Sequence, residues 1–312
     1  MMHRLIKDKR FLLPSDVKKY ALGSKQKVKE YIEANGGHII KDKYEPEEFD
    51  YILIGTQIKD FGFSASRYLK LYPEAKILFE QELLNEPKAE SNYLKSLFQD
   101  YMDRFRDIFS HYDILVAYYS IGKPYTSEDF KKIEKKYRKN IPAAIKEFYS
   151  VFGKIKLTWT YCSINTKRSF YDEKDVDNLI SSTCGEMFGS IQILDLNKVL
   201  SEDWTKYEHA VHLSSGKELK IFDYHSDENM AAFDLENDNP LVYMGDDHGA
   251  TFEDYKPMLF SDYLKLTINS YGFFRRKYLF ESAYGTQKKL SGFSEILERP
   301  IELVPVRLDD IE

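Results

Sequence analysis

The sequence predicts an α+β protein in two parts: a small α/β domain with a parallel sheet, then helices leading into a curled antiparallel sheet. Three observations carry this reading. Between about residues 8 and 86, apolar runs of strand length alternate with helix-length stretches, the order a parallel sheet requires. Between 191 and 244, apolar runs of four or five residues recur with turn-forming sequences among them, as in a meander of hairpins. At 312 residues the chain also exceeds one average domain.

The elements follow in order. Phe11-Leu12-Leu13 opens as a strand, and residues 24–34 read as a helix with Val28, Tyr31 and Ile32 on one face, closing at Asn35-Gly36-Gly37. Strands are expected at His38-Ile39-Ile40, Tyr51-Ile52-Leu53-Ile54 and Ala75-Lys76-Ile77-Leu78-Phe79, with a helix over 65–71 ended by Pro73. Leu94, Leu97, Phe98, Tyr101, Met102, Phe105, Ile108 and Phe109 recur at spacings of three and four, which marks a long amphipathic helix over about 90–112. Leu115-Val116-Ala117-Tyr118-Tyr119 follows as a strand. These residues make a connector at 89–122, between a first domain at 1–88 and a second at 123–280.

In the second domain, Thr126 and Asp129 have the spacing of a capping box, opening a helix with Phe130, Ile133 and Tyr137 on its apolar face. Pro142 is expected at the first position of the next helix, where its missing N–H costs nothing, with Gly153 as a left-handed exit. Ile155, Leu157, Trp159 and Tyr161 then alternate with polar residues as a strand. A polar insertion around 167–178 precedes strands at 191–194, 210–213, 219–222, 230–234 and 241–244, and a closing helix covers 261–271. The tail at 281–312 is less regular, with an edge strand expected around Pro305.

The stretch Asn140-Ile141-Pro142-Ala143-Ala144-Ile145 leading to Phe148-Tyr149 and Gly153, set between a charged helix and an aromatic strand, resembles the signature of the SUKH superfamily. The resemblance covers about residues 123–275 and implies a compact module that binds proteins; many members are immunity proteins that neutralise toxins. The order of parts over residues 8–86, with Gly36-Gly37 after the first helix and Asp50-Tyr51-Ile52-Leu53-Ile54 as a central strand, looks like a BRCT domain. That likeness implies protein contacts and, in some members, phosphoserine binding, for which Ser15 and Arg67 occupy the corresponding places. The sequence departs from that pattern where Pro14-Ser15-Asp16 replaces Thr-Gly.

The net charge of −6 hides a skew. Residues 201–262 hold 15 Asp/Glu against four Lys, a net of −11, so the rest of the chain is about +5. Such a stretch repels phosphate backbones and attracts basic proteins. Its carboxylates, with aromatic anchors, give the expected partner-binding residues: Trp159, Tyr161, Asp223, Tyr224, Asp227, Asp246 and Asp247. The groupings His209 with His212, Asp223 with His225 and Asp227, and Asp246-Asp247-His248 contain metal-binding residue types. They lack the spacing of a zinc or EF-hand motif, and no metal or other cofactor is expected. No P-loop, GxGxxG or nucleophile elbow occurs, so an enzyme is not expected. Cys162 and Cys184 lack a CxxC spacing, and no run of about 18 apolar residues appears. The expectation is a cytoplasmic protein with a protein partner, such as a basic toxin domain, and no nucleic acid or membrane. The alternative is an intracellular scaffold or regulator joining partners through both modules.

Overall fold

The computed structural model describes residues 3–42, 47–58, 65–84, 92–110, 114–161, 188–202, 213, 215–226, 229–245 and 252–272. The fold is mixed α and β, divided into two compact units. The first is Met1–Ile121 with Thr158–Gly185, and the second is Gly122–Leu157 with Glu186–Glu312. The connector helix and strand therefore belong to the first unit.

The first unit opens with α1 (His3–Ile6) and β1 (Arg10–Leu12), then β2 (Val17–Lys19), α2 (Lys25–Ala34), β3 (His38–Ile40), β4 (Tyr51–Ile54) and β5 (Gln57–Ile58). It continues with α3 (Ser66–Leu71), β6 (Lys76–Phe79), α4 (Glu80–Leu84), α5 (Asn92–Ser110) and β7 (Ile114–Ile121). A parallel sheet runs in the order β3-β1-β4-β6, with Phe11 paired to Ile39 on one side and Tyr51 on the other. Leu12, Ile52, Leu53, Ile54, Ile77 and Phe79 are all buried. Burial of successive residues means both faces are covered, which is why these strands read as continuous apolar runs. Helix α2 is capped by Ser24, whose side chain accepts from the Lys27 amide, and buries Val28 and Ile32. On α5, Leu97, Phe98, Tyr101, Met102, Phe105, Ile108 and Phe109 are buried, and the helix packs on β6 and β7.

Strands β2 and β5 were not expected. They pair with each other, and β5 pairs with β7 through Gln57 and Ser120. Two or three residues with a single buried apolar side chain, Val17 or Ile58, are too short to show a period, so tertiary pairing makes these strands. Gly55 is fixed by the same pairing: the Thr56 amide donates to the Lys19 carbonyl at 2.8 Å, and a Cβ at Gly55 would collide with that oxygen.

The second unit contains α6 (Ser127–Tyr137), α7 (Ala143–Val151), the start of β8 (Ile155–Tyr161), β9 (Phe188–Ile193) and α8 (Leu196–Ser201). It then runs through β10 (Lys220–Ser226), β11 (Asn229–Phe233), β12 (Leu241–Gly245), β13 (Met258–Leu259) and α9 (Phe260–Asn269). The strands lie in the order β13-β12-β11-β10-β9-β8, and the division between units falls inside β8, after Leu157. Helices α7 and α9 cover one face through Phe148, Phe222, Phe233, Phe260 and Tyr263; Phe222 stacks on Phe233 at 4.7 Å and meets the Tyr263 ring at 5.3 Å. A second cluster gathers Leu219, Ile221, Met230, Ala232, Tyr243 and Phe252.

Two local expectations are corrected. Pro142 is the N-cap of α7, not its first residue; its backbone is extended (ψ 147°), and the Ala144 amide is met by the Asp238 carbonyl at 2.9 Å. Gly153 is not left-handed. It is needed because a Cβ there would strike the Lys123 carbonyl, where Gly122 and Lys154 are joined by a 2.9 Å backbone hydrogen bond. The capping box of Thr126 and Asp129 is present as expected. Helix α8, capped by Asp195, and strand β13 were not expected. The strand at 210–213, the insertion at 167–178 and the tail lie outside the described residues, apart from Leu213.

Candidate binding site

Asp223 was expected among the partner-binding residues at strand ends and loops. It is instead fully buried. Residues 219–223 are buried in succession because both faces of β10 are covered here, and a register shift between Ile221 and Asp223 brings Asp223 to Tyr263, which Phe222 also meets. Its carboxylate accepts from the Tyr263 hydroxyl at 2.7 Å and the Gln192 amide at 2.9 Å, tying α9 and β9 to β10. Asp223 is therefore a clamp in the core and not a surface anchor. Trp159 is 3% exposed, so its ring presents almost no area to a partner. It also falls in the first unit, whereas Asp223 and Tyr224 fall in the second. Tyr224 is half-buried against the second apolar cluster. The side chains of Tyr161 and His225, and all of Asp227, His209, His212, Asp246, Asp247 and His248, lie outside the described residues.

A second tyrosine network holds α8 in place. Tyr125 donates to Asp195 at 2.8 Å, Asn197 donates to the Tyr125 hydroxyl at 3.2 Å, and Tyr149 donates to the Leu194 carbonyl at 2.8 Å. Burial, then the bond to the Asp195 carboxylate, push the Tyr125 hydroxyl up to about 12.

In the acid-rich part of the second unit, the described residues assemble a charged groove with a volume of about 510 Å³. Lys139 and Asn140 come from the α6–α7 connection, Gly216, Lys217, Glu218 and Lys220 from the turn into β10, and Asp234, Leu235 and Glu236 from the turn after β11. Gly216 has φ +80°, and the turn closes with the Leu213 amide on the Lys217 carbonyl at 3.0 Å. Asp234, fully buried, accepts from the Glu236 amide at 3.1 Å and so folds its own turn. Lys217 reaches Glu236 at 2.8 Å and Asp234 at 3.3 Å, and these bonds, the one to Glu236 foremost, raise its ammonium above the ordinary lysine value. Glu218 takes Lys220 at 2.6 Å and Lys139 at 3.1 Å; the Lys220 bond first among the causes holds its carboxyl below the usual range. The sequence held one clue to this groove, the turn at 214–217, but the ion partners lie up to 79 residues apart and leave no local pattern. Ammonium and carboxylate groups paired in this way suit recognition of a charged surface through exchanged ion pairs.

In the first unit, the sequence points to an anion at Ser15 and Arg67. The Ser15 amide is occupied: it donates to the Asp42 carboxylate at 2.6 Å, and the Tyr68 hydroxyl donates to the other Asp42 oxygen at 2.8 Å. The Arg67 side chain lies outside the described residues. No group of three His, Cys, Asp or Glu side chains that could hold a metal occurs among the described residues, and no described helix is long and apolar enough to cross a membrane. Comparison with protein-family models, curated proteins and solved structures finds no match to this chain.

Proposed function

We propose that the chain is a protein-binding module that acts as an immunity protein, neutralising a bacterial toxin by stoichiometric association through its SUKH-like C-terminal part. The reading rests on one observation above all. In the acid-rich stretch, Lys217 and Lys220 are paired with Asp234, Glu236 and Glu218, while Asp238 and Asp262 stand exposed. Charge of that sign speeds encounter with a basic partner and disfavours nucleic acid. Helices followed by an antiparallel sheet and a closing helix support the SUKH resemblance, and the four-stranded parallel sheet supports the BRCT-like one.

The direct test is rescue: the chain is co-expressed with candidate basic toxin domains, and growth is restored by the cognate one. Asp238→Lys with Asp262→Lys is expected to slow association with that toxin several-fold at low salt, with the difference vanishing as salt rises. Rescue by no candidate toxin, with housekeeping proteins alone recovered in pull-downs, would overturn the proposal. The alternative, a scaffold joining partners through both modules, draws support from the first unit having a parallel sheet and core of its own.

A further inference from the structure

Helix α6 carries its charge on one side. Phe130 and Ile133 are buried, and the opposite face holds Lys131, Lys132, Lys135 and Lys136, all exposed. Residues 122–157 as a whole hold ten Lys/Arg against four Asp/Glu, a net of +6, in the same unit as the acid-rich stretch. Part of this charge is matched nearby: Lys132 pairs with Glu128 at 3.0 Å, Lys146 with Glu134 at 2.7 Å, and Lys136 lies over the Tyr137 ring at 4.7 Å. Lys131, Lys135 and Arg138 are exposed, and their side chains have no partner among the described residues. Spacings of four and three put them in one row along the helix, about 6 and 4.5 Å apart at 1.5 Å per residue.

Arg138 closes the row under strain. It is the C-cap of α6 and lies in the left-handed region (φ 53°), where glycine is the usual residue and asparagine the next. The Glu134 carboxylate accepts from the Ile141 amide at 3.0 Å and so folds the connection to α7 back on the helix. An exposed guanidinium without a partner, on a backbone that would favour glycine, points to a use for its charge.

The opposite sign lies across the charged groove. Lys139, the residue after Arg138, lines that groove together with Glu236. Just beyond Glu236 the turn is bound to the start of α9: the Asn239 side chain donates to the Ser261 hydroxyl at 3.0 Å and accepts from the Ser261 amide at 3.2 Å. This brings Asp238 and Asp262 to one place, both exposed and both without a side-chain partner among the described residues. One unit therefore presents unpaired cations and unpaired carboxylates at the two sides of a groove and does not pair them with each other.

We infer that these patches pair between copies: the row of Lys131, Lys135 and Arg138 in one chain docks on Asp238 and Asp262 of a second, and a twofold arrangement makes the contact twice. A nucleic acid or an anionic membrane fits less well, because a polyanion laid along the row runs onto the carboxylates beside it. The net charge of −6 does not prevent pairing, since at physiological ionic strength charges beyond about 8 Å are largely screened and local complementarity decides. The pairing shares Asp238 and Asp262 with the proposed toxin contact but needs no toxin, so either can fail alone.

Sedimentation velocity of the full chain over a range of concentrations reads the pairing. At about 0.1 M salt the wild type is expected to shift from monomer towards dimer, and at about 1 M, where the screening length falls to about 3 Å, to stay monomeric. Lys131→Glu with Lys135→Glu, and separately Asp238→Lys with Asp262→Lys, are each expected to weaken self-association about tenfold or more by setting like charges opposite one another. Mixed in equal amounts, the two reversed variants are expected to regain the dimer, because each offers the sign the other lacks. Arg138→Gly relieves the left-handed backbone and removes the charge, so it is expected to melt at higher urea while associating several-fold more weakly, which separates loss of contact from loss of fold. A wild type that stays monomeric at about 0.1 M salt, including one retained instead on phosphatidylserine vesicles or duplex DNA, would overturn the inference. Undiminished self-association of both reversed variants, or a mixture that stays monomeric, would overturn it too.

Discussion

Tyr263→Phe removes one oxygen from the centre of the second unit and leaves the ring. The ring keeps its edge-on contact with Phe222 at 5.3 Å, so the change isolates the 2.7 Å hydrogen bond to Asp223. Asp223 is fully buried, and water does not replace the lost donor. Hydrogen bonds to charged groups contribute about 1.5–3 kcal/mol, the loss expected here. Asp223→Asn is expected to cost less, about 1 kcal/mol, because an amide oxygen still receives the Gln192 amide. Asp223→Leu should exceed both, since it strands the Gln192 amide and the Tyr263 hydroxyl together. Hydrogen exchange read by mass spectrometry on peptides covering β9 and β10 confines the measurement to this unit. At a factor of ten per 1.4 kcal/mol, Tyr263→Phe should speed exchange there about ten- to hundredfold. Exchange within about twofold of wild type for Tyr263→Phe and Asp223→Leu alike would refute the clamp, since buried groups left without partners cannot be neutral.

Three further outcomes are expected. Gly153→Ala forces a methyl against the Lys123 carbonyl and should lower stability by about 1–3 kcal/mol, whereas Gly216→Ala, with open space around its Cβ, should cost only the left-handed backbone, about 1 kcal/mol; paired urea melts distinguish them. Arg106→Ala uncovers the Ile77 carbonyl on the edge of β6 and leaves the nearly buried Glu82 without its 2.6 Å partner, so a loss of about 2 kcal/mol is expected by the same measurement. The Tyr125 hydroxyl is raised in the folded state from 10.0 to about 12, so folding favours its protonated form. Its contribution is full below pH 10 and is lost as pH rises through about 12; in matched alkaline melts, Tyr125→Phe should lose less stability than wild type across that window.

Much of the fold was legible because the elements that matter most are long or strongly patterned. The parallel strands are continuous apolar runs, α5 shows its stripe at three- and four-residue spacing, and Thr126 with Asp129 announces α6. What escaped reading was made by pairing at a distance. Strands β2 and β5 have one buried apolar residue each, and β13 is two residues long. Asp223 is hidden because both faces of β10 are covered over residues 219–223 and a register shift, which sequence does not mark, brings it against Tyr263. Gly153 was placed correctly at the end of α7 for the wrong reason. A glycine after a helix reads as a left-handed cap, but here the Lys123 backbone crosses so close that no side chain fits.

The charged groove shows why acidic composition alone was a poor guide to surface. Counted along the sequence, the stretch 201–262 offers fifteen carboxylates, as though all faced solvent. In the fold, Asp223 is buried on Tyr263 and Gln192, and Asp234 is buried under Lys217, so these two contribute to cohesion and not to the outer field. The lysines divide in the same way. Lys217 and Lys220 are bonded at 2.6–3.3 Å to Glu218, Asp234 and Glu236, so their charge is already matched by carboxylates of the groove. Exposed Asp238 and Asp262 are then not offset by the two lysines nearest in sequence to the groove. Under the proposed function, a basic partner would meet these exposed carboxylates, where screening by salt is strong and association rate is what they would control. Affinity in the proposed complex would then have to come from half-buried aromatic and aliphatic surface of the same unit, such as Tyr224 and Leu241, because exposed carboxylates screened by salt contribute little to it.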